Sequence, residues 1–147
     1  MIIETKQAEN KPLTVTVEYP EYTPSVKRLI QRLRSMDISF TGRIDERTVS
    51  IGLSDVYYIE NVERKLFIYT KDEVYRYDGT MADADTMSED TELVRISRTC
   101  IMNTAHLTEI RQIKNSHLEA VLDNGEMLIV SRKYLKDIKR IFRREKP

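Results

Sequence analysis

The stretch LEAVLDNGEMLIV, residues 118–130, decides the fold. Apolar runs at Leu118–Leu122 and Met127–Val130 flank Asp123-Asn124-Gly125, the strongest turn signal in the chain. Asn-Gly tolerates the positive φ that tight hairpin turns require. The stretch therefore predicts two antiparallel strands. Directly downstream, Ser131 can cap a helix whose apolar face holds Tyr134, Leu135, Ile138, Ile141 and Phe142.

Upstream of the hairpin the same two-residue period recurs. Ile38 and Phe40, Thr48–Ile51, Val56–Ile59, Leu66–Tyr69, Val74–Tyr77, Leu93–Ile96 and Leu107–Ile113 are short strand candidates. Val56–Ile59 is apolar and aromatic throughout, as a strand buried on both faces would be. Lys71-Asp72-Glu73 marks a hairpin between two of the candidates. Met81, Ala84 and Met87 share a helical spacing and predict a short helix in a polar segment. Many short strands with regular turns predict a mainly β, antiparallel, sandwich-like domain with a few short helices. Residues 1–42 read as a small strand-helix extension: Leu13–Val17 alternates, and Val26, Leu29, Ile30 and Leu33 follow a helical period after Thr23 or Ser25. The predicted division is thus 1–42 and 43–147.

With 147 residues, 40% hydrophobic and 33% charged, the chain can build a core without disulfides or metals. The lone Cys100 and the lack of a secretory leader predict a reducing cytosol. Two histidines, His106 and His117, show no metal-ligand spacing, and phosphate-loop, dinucleotide-turn and nucleophile-elbow patterns are missing. The sequence predicts no enzyme, no cofactor and no metal. Net charge is zero, but its distribution is polar. Residues 72–92 carry eight acids against Arg76 alone, whereas Arg132, Lys133, Lys136, Lys139, Arg140, Arg143, Arg144 and Lys146 follow the last strand. Such an arrangement can focus a positive field at one end of a neutral molecule.

Three stretches, taken in order, carry a family resemblance. They are Val56-Tyr-Tyr-Ile-Glu60 followed by Arg64-Lys65, then Leu93-Val-Arg-Ile-Ser-Arg-Thr-Cys-Ile-Met-Asn103, then Asp123-Asn-Gly with Ser131-Arg-Lys-Tyr134. Over about residues 43–143 the chain resembles the LytTR family of bacterial DNA-binding transcription regulators. The resemblance implies a β domain that reads duplex DNA, often direct repeats, through connecting segments entering the major groove rather than through a recognition helix. It assigns DNA contact to Arg64 and Lys65 in one loop, Arg98 in a second, and Arg132 with Lys133 at the last helix. Lys136 and Lys139 are possible phosphate contacts. Chemistry agrees with these roles: arginine can bond guanine O6 and N7 together, and lysine holds phosphates without reading sequence. Arg95 is expected to pair with an acid, Asn103 to fix a turn, and Cys100, His106, Tyr57, Tyr58 and Ile59 to pack.

Relatives often carry a receiver domain of about 100 residues ahead of this part, and 42 residues are too few for one. The resemblance therefore implies the stand-alone class, whose members are often restrained by a small membrane protein. The extension is expected to mediate homodimerisation or docking. The competing expectation is a protein-interaction or small-ligand-sensing module, favoured by the acidic stretch and the zero net charge.

Overall fold

The computed structural model describes residues 1–114 and 117–145, the side chains of the last two excepted. Of the C-terminal bases, Lys146 lies outside the described residues and only the backbone of Arg144 is described. Among the described residues, ten strands form two antiparallel sheets. The first sheet contains β1 (Ser39–Ile44), β2 (Arg47–Gly52), β3 (Tyr58–Val62), β4 (Lys65–Tyr69), β5 (Val74–Tyr77), β6 (Leu93–Ser97) and β7 (Cys100–Asn103), in the spatial order β2-β1-β5-β4-β3-β7-β6. The second contains β8 (Leu107–Ile113), β9 (His117–Leu122) and β10 (Met127–Val130), with β9 central. Among the described residues, three α-helices accompany them: α1 (Pro24–Ser35), α2 (Met81–Ser88) and α3 (Leu135–Glu145).

Alternation along the central strands builds two cores on opposite faces of the large sheet. Tyr58, Cys100 and Met102 join Leu118, Ala120, Leu122, Leu128, Val130 and Ile138, between the large sheet, the small sheet and α3. Ile59, Leu66, Ile68 and Ile101 point the other way, toward Phe40, Ile51, Leu53 and Ala84 of α2. A strand covered on both sides has no polar-facing positions to spare, which is why Cys100–Asn103 is buried at all four residues. Cys100 is 5% exposed, and burial pushes its thiol up to about 12.

Most predicted elements are present, including both hairpins, but three expectations need correction. Leu13–Val17 forms no strand: Leu13 is 98% and Val15 62% exposed. Alternation alone cannot order a strand that finds neither a sheet edge nor apolar cover. Ser131 supplies no side-chain cap; the chain enters α3 through a 3-10 turn over Arg132–Tyr134 instead. Strand β7 was not anticipated as a separate element. At the first helix the expectation holds, and Thr23 accepts from the Val26 amide at 3.3 Å.

Two polar ties join the layers. The fully buried Asn103 amide donates to the carbonyls of Leu53 (3.2 Å) and Val56 (2.8 Å), and its oxygen accepts from the Ala105 amide at 3.0 Å. All of its polar atoms are therefore used, on both sides of the chain crossing into the second sheet. His106 stacks on Tyr57 with ring centroids 3.9 Å apart, and its ring nitrogens lie 3.0 Å from Asp123 Oδ2 and 2.7 Å from the Ser54 carbonyl. Its role is thus a bridge between sheets, beyond packing. The Asp123 carboxylate facing its hydroxyl, together with burial, pushes the Tyr57 pKa up to about 12. Burial tends to raise the Asp123 carboxyl, but the bonds from Tyr57 and His106 outweigh it and leave it lowered.

Candidate nucleic-acid interface

Two tight turns and one helix entry carry Arg64, Arg98, Arg132 and Lys133, whereas Lys65 is the first residue of β4 rather than a loop residue, and Lys136 and Lys139 lie in α3. Glu63 and Arg64 join β3 to β4, since Val62 pairs with Lys65. Arg98 and Thr99 join β6 to β7, since Ser97 pairs with Cys100. Strands β3 and β7 are antiparallel neighbours, with Glu60 opposite Cys100, and the Asn61 amide donates to the Thr99 carbonyl at 2.8 Å. Both turns therefore project from one end of the sheet, two strand spacings or about 10 Å apart. On the outer side of β6 the Ser131 amide donates to the Ile96 carbonyl at 2.8 Å. That bond sets Arg132 and Lys133 beside the same end. The three connectors are distant in sequence and adjacent in space.

Arg64, Lys65, Arg98, Arg132 and Lys133 are all exposed. Lys133 Nζ lies 5.5 Å from the Tyr134 ring centroid, a cation–π contact that leaves its charge available. Lys136, Lys139, Arg140 and Arg143 follow at i, i+3, i+4 and i+7 spacing and line a shallow groove of about 360 Å³ along α3. Asp137 approaches Arg140 at 3.8 Å, and both groups are largely exposed, so this pair neutralises little.

The acids are disposed differently. Of the eight in residues 72–92, Asp78 pairs with Arg43 (2.7 Å), Asp85 with Arg95 (2.9 Å), Asp90 with Arg34 (3.2 Å) and Glu92 with Arg32 (3.5 Å). Asp83 closes a capping box with Thr80 at the start of α2. The Arg43 hydrogen bond holds the Asp78 carboxyl low, and the Thr80 bonds do the same for Asp83. The acidic stretch is thus mostly committed to internal pairs. Those five acids are engaged with partners inside the domain. The cavity between α1, Thr91, Thr104 and Ile141 is about 130 Å³, below the roughly 300 Å³ usual for a small-molecule site.

From sequence Arg95 is expected to pair with an acid. The structure gives it four bonds. Its Nε and Nη2 donate to the two Asp85 oxygens at 2.9 and 3.0 Å, and Nη1 donates to the carbonyls of Ser97 (3.2 Å) and Arg98 (2.5 Å). The hydrogen-bonded Asp85 carboxylate holds the guanidinium more firmly charged than usual. A signal for this was present in the sequence, an arginine three residues before a turn arginine, but its carboxylate partner lies ten residues upstream on another element. Among the described residues no group of His, Cys, Asp and Glu is placed to hold a metal ion, and no helix is long and apolar enough to cross a membrane.

Comparison with known proteins converges on one family. The LytTr DNA-binding domain family matches residues 46–143. The chain is similar to the sensory transduction protein LytT of Bacillus anthracis, 29% identical over 140 residues, covering 92% of this chain and 57% of that protein. It is also similar to LytT of Enterococcus faecalis, 30% identical over 95 residues, with 65% and 39% covered. The transcriptional regulatory protein BtsR of Escherichia coli is 32% identical over 93 residues, with 63% and 38% covered. The chain therefore spans between 38% and 57% of the length of these relatives. Among solved structures, a LytTr DNA-binding domain from Bacillus cereus superposes with a TM-score of 0.66 at 19% identity, covering 71% of this chain and 95% of that one, a likeness of fold.

Proposed function

The chain belongs to the LytTR DNA-binding domain family, and from that premise we propose that it binds duplex DNA sequence-specifically and regulates transcription in the cytoplasm. The observation that carries this reading is the meeting of Arg64, Arg98 and Arg132 from three separate connectors at one end of the large sheet. In the proposed complex these arginines reach base edges in the major groove, where one guanidinium can satisfy two acceptors of guanine. Lys65 and Lys133 hold the adjacent phosphates, and Lys136 and Lys139 extend the phosphate contacts along α3. The relatives are named for signal transduction and transcription regulation, which agrees with such a role.

Two copies on repeated sites would multiply affinity, so we propose a homodimer on DNA. Residues 1–42, which lie wholly outside the family match, are the proposed dimerisation or docking element, including contact with a restraining membrane protein.

Selection of bound sequences from random duplex DNA tests the reading. A single enriched motif is expected, and Arg64→Ala, Arg98→Ala and Arg132→Ala should each weaken binding to it by about 1–3 kcal/mol while circular dichroism stays unchanged. Affinity should also fall steeply with salt as phosphate contacts release counterions. Unchanged binding by all three variants would sink the assignment.

A further inference from the structure

The Arg98 turn is built differently from an ordinary two-residue hairpin. Such loops favour positive φ at both central residues, because that twist matches the flanking strands. Among the described residues, the non-glycine positions with positive φ are Asn10, Asp45, Glu63, Arg64 and Asp90, so neither Arg98 nor Thr99 adopts it. A turn of the other hand splays its strands unless something compensates. Here the register shifts between Arg95 and Ser97, and the Ser97 hydroxyl accepts from the Thr99 amide at 3.2 Å. The Arg95 guanidinium then spans the loop, gripping the Ser97 and Arg98 carbonyls on one side and both oxygens of Asp85 on the other.

We propose that Arg95, anchored by Asp85 of α2, is a positioning residue for DNA reading: it fixes the backbone of the β6–β7 turn so that Arg98 is presented in one orientation. The proposal rests on Arg98 being a base contact, as set out above. Arg95 itself is three-quarters buried against the turn and its four donor contacts are all made within the domain. It therefore does not need to touch DNA. Asp85 supplies the fixed end. Without its carboxylate the guanidinium keeps its charge but loses the bidentate grip that sets its plane. The short acidic helix thereby acquires a purpose that its composition concealed: it carries the anchor of a basic contact.

The experiment compares base preferences, position by position, in sequences selected by the wild-type chain and by Arg98→Ala, Arg95→Gln and Asp85→Asn. Arg98→Ala defines the positions that Arg98 reads. Arg95→Gln and Asp85→Asn are expected to lose about tenfold of the preference at those same positions, leaving the others intact. Combining either with Arg98→Ala should add nothing further there. Asp85→Asn is the milder change and keeps the test open if Arg95→Gln folds poorly. Asp85→Glu should restore part of the preference. A uniform loss at all positions, matching a loss of thermal stability, would overturn the clamp and leave only a structural ion pair. Preferences unchanged in both variants would overturn it too. A wild-type chain that enriches no sequence would instead remove the DNA-reading premise, and the clamp's role with it.

Discussion

The β3–β4 and β6–β7 turns stand side by side at one end of the sheet, each two residues long and each carrying an arginine, yet they are held by opposite means. Glu63 and Arg64 take φ values of 52° and 67°, the left-handed geometry that fits a tight hairpin. That geometry matches strand twist but costs about 1 kcal/mol or more per side chain that is not glycine. Arg98 and Thr99 avoid that cost, but their turn fits the strands less well and is braced by a bulge, a serine hydroxyl and the Arg95–Asp85 pair. One turn is shaped by its own backbone; the other is shaped from outside. The lesson is that equal loop length does not imply equal sensitivity: the first should respond to substitutions inside the loop, the second to substitutions several residues away.

Four measurements would break or sharpen this contrast. The largest effect is expected from Arg95→Ala, which strips two carbonyls and a carboxylate of their donor. It should cost about 2 kcal/mol in urea unfolding, whereas Arg64→Ala, an exposed change, should stay within about 0.5 kcal/mol. Equal losses would erase the distinction. Next, Glu63→Asn should stabilise the chain by about 1 kcal/mol, because asparagine enters the left-handed region more readily, and the shift would appear in thermal melts. Thr99→Gly tests the other turn by the reverse route. With no positive φ to relieve, glycine there should destabilise by roughly 0.5–1 kcal/mol through the unfolded state. A gain in stability would show that the two turns share one geometry after all.

The smallest effect concerns pH and lies away from both turns. Tyr57 has its pKa raised from an ordinary value near 10 to about 12. A raised folded value favours the protonated form, so this contribution is fully present below about pH 10. It fades as pH climbs toward 12. Arg95 is held charged across that window, so the clamp should persist. Melting temperature should fall above pH 10, less so in Tyr57→Phe, and by the same increment in the Arg64→Ala and wild-type chains. An equal fall in Tyr57→Phe would assign the alkaline loss to other groups.

Much of the fold was legible because its signals are local. Alternating apolar residues and Asp123-Asn124-Gly125 marked strands and a hairpin that the structure contains. Asn103 was legible as a turn-fixing amide, though its grip on Leu53 and Val56, some fifty residues earlier, was not. Leu13–Val17 shows the limit of the same signal, since its pattern is right and no sheet edge receives it. The candidate contact residues come one by one from family resemblance. Its assembly depended on pairings across long separations, such as Asn61 with Thr99 and Ser131 with Ile96, that no local period encodes. The pairing of the acids was hidden for a related reason: those of residues 72–92 have partners as far away as Arg32, Arg34 and Arg43.

Cys100, the single thiol of the chain, lies in the strand that joins the two cores. With its sulfur sealed and held protonated at neutral pH, it should ignore alkylating reagents while the domain is intact. Only molecules that open the central sheet would become labelled. The chain thus carries an intrinsic stopwatch: the rate at which a thiol reagent consumes Cys100 reads how often the whole β framework comes apart.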